Sequence, residues 1–315
     1  MIENMALLIP TMNRPESLER TLENFFEGEI IPDEVVVVDQ STGVDVRIKN
    51  EKIVLKYASK ANMIYRYQEE PSSTKARNTA VKLSNCEIII FSDDDVDVKK
   101  NTLKNVRDIM VDKSIAMIAG VDELTVQSNS KIGYLLGTKS YKKRHIGHVT
   151  GSMLGRFPDI VTEKTNTEWA MGFFFVVRKS LLDAWNLWWD EKLTSYAYAE
   201  DLDFSYSYYK KCKEKNLQCI MTNKVVVQHL ASKEFRIPSR KHIFMYIINR
   251  AYLLYKHEMG KKAELLMNWS NICFLIWNKI KGANYKDYRD AIKEYNSIKK
   301  QLKNGVIKEQ FYSEK

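Results

Sequence analysis

Residues 87–96 run from an apolar, largely β-branched stretch, Ile88-Ile89-Ile90-Phe91, into three adjacent carboxylates, Asp93, Asp94 and Asp95. The run is short and apolar on both faces, so it reads as a fully buried strand. Three acids at the mouth of such a strand repel one another unless a cation neutralises them. Asp93 and Asp95 are two apart, so on an extended chain they point the same way and could share one hard ion through oxygen ligands. The competing reading is a solvated acidic turn that caps the following helix. The run alone does not choose between them; the flanking chain has to.

That flanking chain alternates strands and helices. An apolar strand at 5–9 ends in Pro10-Thr11-Met12-Asn13-Arg14-Pro15, and Pro15 suits the first turn of a helix whose stripe is Leu18, Leu22, Phe25 and Phe26. A second buried strand at 34–38 stops at Asp39-Gln40-Ser41. Strand, helix, strand at this spacing is a βαβ unit, and hence a parallel sheet with right-handed crossovers. Residues 43–62 read as polar and irregular, and 63–67 as a third strand. Ser72 caps a helix carrying Ala76, Arg77 and Asn78 to about residue 83. After the acidic triplet come a helix near 99–112 and a strand at 115–119.

In open parallel sheets, ligands bind outside the carboxyl ends of the strands. Here those ends carry Thr11, Asp39 and the Asp93–Asp95 triplet. No glycine-rich dinucleotide turn and no Walker loop follows any strand. A phosphate at this edge would therefore be met by a metal and basic side chains.

Jointly, Ile9-Pro10-Thr11, Asn13-Arg14-Pro15, Val36-Val37-Val38-Asp39-Gln40-Ser41, Ala76-Arg77-Asn78 and Phe91-Ser92-Asp93-Asp94-Asp95 resemble family 2 of the nucleotide-sugar glycosyltransferases. The match continues at Gly172 to Arg178 and at Glu200-Asp201-Leu202-Asp203, covering roughly residues 5–230. The resemblance implies a GT-A fold: an α/β, Rossmann-like, open and mostly parallel sheet flanked by helices. It divides the chain into a catalytic domain at 1–232, with a nucleotide-sugar half at about 1–120 and an acceptor half at about 121–232, and a basic helical region at 233–315.

Glycosyl transfer from a nucleoside diphosphate needs charge stabilisation for the departing diphosphate and a base for the attacking hydroxyl. The resemblance implies that Asp95 ligates Mn²⁺ or Mg²⁺, with Asp93 on the ion or ribose, Asp94 bracing the loop and tolerating change best, and His229 as a further ligand. Asp39 would accept the N3–H of uracil or thymine; the family often has Asp-Asp-Gly-Ser where this chain has Asp39-Gln40-Ser41-Thr42. Pro10, Thr11, Asn13 and Arg14 would line the nucleoside pocket, and Arg77 would face the diphosphate or the metal loop. On the acceptor side, Gly172 would permit close backbone approach, and Trp169 would stack on a sugar face, with core packing as the alternative for both Trp169 and Phe173–Phe175. Asp201 would be the general base of an inverting transfer and Glu200 would position the acceptor. Acids in a first helical turn also occur for dipole reasons alone.

The net charge of +9 is unevenly placed: residues 230–315 hold 18 Lys+Arg against 8 Asp+Glu, and the remainder is near balance. Helices are expected at 238–258, 261–281 and 285–303. In the second, Leu265, Leu266, Trp269, Ile272, Cys273, Ile276, Trp277 and Ile280 follow helical spacing on one face. The stripe reads as packing or self-association, with an anionic membrane surface as the competing partner. Spread charge without a recognised module argues against nucleic acid. Cys86, Cys212, Cys219 and Cys273 form no CxxC pair, so a reducing compartment is expected. No apolar run reaches the roughly 18 residues that span a bilayer, and the start lacks a basic region before an apolar core. The expectation is a cytoplasmic enzyme, with possible peripheral contact at the inner face of the cell membrane. It would use a UDP- or dTDP-sugar and a saccharide or lipid-linked acceptor in cell-surface polysaccharide synthesis. The alternatives are a sugar-phosphate nucleotidyltransferase, for which Pro10–Pro15 lacks the glycine- and basic-rich loop, and a catalytically silent nucleotide-sugar-binding module.

Overall fold

The structure, a computed structural model, describes residues 3–123, 131–136, 138–194, 197–230 and 238–312. Numbered in chain order, the first half comprises β1 (Met5–Thr11), α1 (Pro15–Phe26), β2 (Glu34–Asp39), α2 (Val44–Leu55), β3 (Asn62–Tyr67), α3 (Ser73–Leu83), β4 (Ile88–Ser92), β5 (Val96–Val98), α4 (Thr102–Met110) and β6 (Ile115–Asp122). A short helix α5 (Lys131–Leu135) and three two-residue strands, β7 (His148–Val149), β8 (Gly155–Arg156) and β9 (Thr165–Asn166), lead to β10 (Phe174–Arg178) and α6 (Lys179–Trp185). Then follow α7 (Glu200–Glu214), β11 (Gln218–His229), α8 (Ser239–Lys256), α9 (Gly260–Ile280) and α10 (Tyr285–Lys303).

The main sheet runs β3-β2-β1-β4-β10-β6-β11-β5, with β9 added against β11. β1 to β4 pair in parallel, as the βαβ spacing demands, and β6 pairs in parallel with β11. β10 is antiparallel to both of its neighbours, so the sheet is mixed. The central strands lack polar alternation because both faces are covered. Ile88 and Ile90 of β4 join the core under α1 and α4, with Leu22, Phe25, Leu103 and Val106. Ile89 and Phe91 point the other way and pack with Ala76, Ala80, Phe204 and Tyr208 of α3 and α7.

Residues 43–62 depart from the irregular reading, because α2 occupies 12 of them. Its apolar pattern is weak: only Asn50, Ile53 and Val54 are buried, while Val44, Ile48 and Leu55 face outward. The helix is held by docking on α1 and β3 rather than by an amphipathic stripe of its own.

A third core unites α8 and α10 with the acceptor-side residues Val149, Met153, Trp169, Leu193 and Leu202. The three C-terminal helices fall within a few residues of their expected spans. The expected boundary at 232/233 lies outside the described residues. α9 corrects the packing expectation. It buries Ala263, Met267, Ser270 and Asn271, while Leu265, Trp269, Ile272, Ile276, Trp277 and Ile280 are all exposed. All four cysteines are free. Among the described residues, no helix is long and apolar enough to cross a membrane.

Candidate active site

The topology gathers the candidate residues at one sheet edge. β1 ends at Thr11 opposite Asp39 of β2, and β4 ends at Ser92 opposite Phe174, where antiparallel β10 begins. β11 ends at His229 opposite Val96. The acidic triplet thus fills the turn between β4 and β5, with Phe173 and His229 beside it; their rings stack with centroids 5.3 Å apart.

The three carboxylates of the triplet are put to different uses. Asp94 is buried and receives hydrogen bonds from Thr11 Oγ1 at 2.6 Å and Arg14 Nη1 at 3.1 Å, while its carbonyl accepts from Thr21 Oγ1 at 2.8 Å. It therefore ties the loop to β1 and α1. These bonds argue against the expectation that Asp94 tolerates change best. Burial pushes its carboxyl up to about 7, only partly offset by Arg14 and Thr11. Asp93, Asp95 and His229 each bring a ligand atom within 4.8 Å of the others. Nε2 of His229 lies 3.3 Å from Asp95. Burial works against protonation of His229, but Asp95 and Asp93 outweigh it and raise the imidazole above its ordinary range.

Arg77 is the link across the site. The residue is 4% exposed, and its guanidinium donates from Nη2 to Asp93 at 3.0 Å and from Nη1 to Glu200 at 2.8 Å. Its flat face lies 4.6 Å above Trp189. α3 places it there because Ser72 caps the helix, accepting from the Lys75 N–H, and Asn78 clasps the backbone of Trp189 in both directions. Burial of Arg77 is more than offset by Glu200 and Asp93, which hold it charged.

Glu200 and Asp201 open α7, where the helix dipole favours anions. The preceding Ala199 sits at φ 69°, a left-handed turn that aims the first helical residues at Arg77. Ser195 and Tyr196 lie outside the described residues. Asp201 Oδ2 receives the Gly172 N–H at 2.9 Å, and its Oδ1 receives Leu202 N–H at 2.7 Å. A Cβ on Gly172 would sit 3.1 Å from Arg77 Nη2 and 3.2 Å from the Asp201 Cβ, so glycine is what permits this approach. Burial raises both acids: Asp201 against the two backbone donors, and Glu200, against Arg77, to about 8.

Two expectations meet side chains already engaged. Asp39 is 0% exposed and takes hydrogen bonds from Ser41 N–H, Asn50 Nδ2 and Tyr65 Oη, so it presents no open oxygen to a nucleobase in this structure. Trp169 is 5% exposed, packs on Phe157 and Gly155 and donates from its indole to the Arg156 carbonyl; it is a core residue, and the sugar-stacking role is corrected. Phe173, Phe174 and Phe175 are buried. Asn13, at φ 57°, accepts from Thr42 N–H, while its own N–H donates to Ser41 Oγ; Pro10 lies within β1, one residue before its end. The sequence reading missed Trp189, Asn50 and Tyr65, which touch site residues from a loop, from α2 and from β3 with no motif of their own.

Five carboxylates, Asp93, Asp94, Asp95, Glu200 and Asp201, face two guanidiniums, Arg14 and Arg77. This crowding of buried and half-buried carboxyl groups is what a divalent cation would relieve, and two carboxylates with one imidazole form a donor set for one. The donor set fits such an ion at Asp93, Asp95 and His229.

Residues 6–185, more than half of the chain, match glycosyl transferase family 2. The chain belongs to that family. It is a glycosyltransferase, and its sheet is of the GT-A type. No curated protein matches it by sequence. Among solved structures, the mannosyltransferase PcManGT of Pyrobaculum calidifontis, in complex with GDP-Man and Mn²⁺, superposes with a TM-score of 0.58 at 14% identity, covering 97% of this chain and 84% of that one. S. aureus TarS 1–349 gives 0.55 at 17% identity, covering 93% and 91%. GalNAc-T7 with UDP, GalNAc and Mn²⁺ gives 0.58 at 14% identity, covering 85% and 54%. At these identities the likeness concerns the fold of the glycosyltransferase.

Proposed function

We propose that this family 2 glycosyltransferase moves a sugar, with inversion, from a nucleoside diphosphate donor to a saccharide or lipid-linked acceptor in cell-surface polysaccharide synthesis. The observation that carries this reading is Arg77, which joins Asp93 on the donor side to Glu200 on the acceptor side through one buried guanidinium. Residues 1–232 form the transferase unit in this reading, and 233–315 a helical region set against its acceptor half.

Asp93, Asp95 and His229 would hold the divalent ion, Mn²⁺ or Mg²⁺, which supplies charge stabilisation for a diphosphate leaving group. Arg77 adds fixed positive charge on the same side, and Trp189 beneath it keeps the guanidinium from swinging away. Asp201, fixed by two backbone N–H groups, accepts the proton of the acceptor hydroxyl as the new glycosidic bond forms and the bond to the diphosphate breaks. Attack in line from the face opposite the leaving group inverts the anomeric carbon. Glu200 orients the acceptor through Arg77. A UDP- or dTDP-sugar remains the proposed donor. The imide N–H would meet Asp39 once Tyr65 turns aside, since that phenol now takes one of its oxygens.

The test is release of nucleoside diphosphate from a panel of nucleotide sugars with Mn²⁺ and with chelator. Release with one donor, abolished by chelator and reduced at least about a hundredfold in Asp95→Ala, is expected. Full activity in chelator would sink the metal assignment. Binding of a donor with no release under any condition would favour a silent binding module, and formation of a nucleotide sugar from a sugar phosphate would favour a nucleotidyltransferase.

A further inference from the structure

The outward face of α9 combines two features that rarely coexist on a surface that meets only water. Leu265, Trp269, Ile272, Ile276 and Ile280 form one continuous stripe with spacings of four, three, four and four, and Trp277 sits beside it. Every one of the six is between 45% and 74% exposed. Lysines close both ends: Lys261 and Lys262 at the start, Lys279 and Lys281 at the finish, with the Lys281 ammonium 4.7 Å from the centre of the Trp277 ring. The single acid of the helix, Glu264, turns inward and is engaged by Lys299 and Lys303 of α10. The stripe is therefore apolar along its length and purely cationic at its ends.

We propose that this face lies flat in the surface of an anionic lipid bilayer, with Trp269 and Trp277 at headgroup level and the four lysines on lipid phosphates. The charge pattern selects this occupant over a second copy of the chain. Two α9 helices paired antiparallel would bring Lys261 and Lys262 of one against Lys279 and Lys281 of the other. Paired in parallel, each cluster would meet itself. Neither arrangement offers the lysines an outward-facing acid of α9, whereas an anionic bilayer offers hydrocarbon to the stripe and phosphate to both ends. α9 is also firmly mounted, because its inner face seats Met267 in the C-terminal core and Asn271 accepts from buried Arg250. Docking would thus carry the whole chain to the surface, not a loose tail. This inference is independent of the transfer chemistry.

The experiment is co-sedimentation of the full chain with vesicles of phosphatidylcholine alone and of phosphatidylcholine mixed with phosphatidylglycerol, at low and high salt. Binding to the anionic vesicles, weakened by salt and absent or far weaker on phosphatidylcholine alone, is expected. Trp269→Ser with Trp277→Ser should lower that binding more than about tenfold, and each of Lys261→Gln and Lys279→Gln about fivefold. These side chains are exposed, and unchanged thermal melting of the variants checks that the fold survives. No binding to anionic vesicles would overturn the proposal, as would binding that the tryptophan variants leave intact. A dimer at micromolar concentration that the same variants dissociate, without any vesicle binding, would assign the face to self-association instead.

Discussion

Arg77 shows what a single side chain settles at this site. Its fork meets two different carboxylates while its face rests on Trp189, a geometry that a lysine cannot reproduce because an ammonium has no plane and no fixed fork. Arg77→Lys should therefore keep the fold and lose most activity, about a hundredfold in kcat/KM. Arg77→Met would leave half-buried Asp93 and Glu200 without their cation, at about 2 kcal/mol of stability after allowing for their exposure; a melting curve distinguishes the two. Asp201 makes a separate prediction about pH. Burial raises its carboxyl, so the base loses its proton later than a free aspartate, and the acid limb of the kcat profile should lie above the ordinary carboxylate range near 3.9. Asp201→Asn should hold donor affinity and cut kcat by a factor of about 10² to 10⁴. A profile with its acid limb at the ordinary carboxylate value, or retained turnover in the asparagine variant, would reject the base assignment. Most of these residues were legible because each ends a strand or opens a helix within a motif. Asn50, Tyr65 and Trp189 were not, because their meaning lies in whom they touch across 11, 26 and more than 100 residues of chain.

At the scale of elements, α7 carries Glu200 and Asp201, and its seat depends on the C-terminal helices. One turn into α7, buried Asp203 receives Lys256 Nζ at 2.6 Å and lies 2.9 Å from His257, both at the end of α8. Lys256 also donates to Asp190 at 2.7 Å, which accepts from Tyr252 as well. Removing the ammonium in Lys256→Met leaves two largely buried acids facing each other, at about 2–3 kcal/mol after allowing for the partial exposure of Lys256. Burial acts to raise the Asp190 carboxyl, but Lys256 and Tyr252 hold it below its ordinary value. Its contribution to stability is present above the unfolded pKa near 3.9 and fades as pH falls through the lower folded value. The melting difference between the wild type and Lys256→Met should accordingly be full at neutral pH and shrink below about pH 4; a difference independent of pH would refute the ion-pair account. Elements with strong internal patterns, such as α1 with Leu18, Leu22, Phe25 and Phe26, were legible to the residue. α2 was not, because neighbouring elements hold it and its own sequence carries little stripe. α9 was legible as a helix but not in its direction, since periodicity locates an apolar face without saying what covers it.

At the scale of the whole molecule, the C-terminal helices share one of the three cores with the acceptor side. Tyr295, Ile298 and Leu302 of α10, with Phe311 and Tyr312 after it, are all buried against α8, whose other neighbours include Leu193, Leu202 and Trp169 of the acceptor side. The charge of 230–315 set that stretch apart as a basic helical region without showing what it shares with the acceptor side, because charge is read along the chain while burial is decided across it. Each large apolar side chain contributes roughly 1.5–3 kcal/mol when fully buried. Exposing five of them would remove about 10 kcal/mol, as much as a typical domain has in total. A chain ending at residue 284 should therefore fail to melt cooperatively and should aggregate through the uncovered face of α8. The full chain should give one transition, and under the proposed function its midpoint should rise with a nucleotide sugar and a divalent cation, since a ligand taken only by the folded state stabilises it. If the shortened chain instead melts as sharply as the full one and still releases nucleoside diphosphate from the donor, α10 and the residues after it do not share the stability of the transferase.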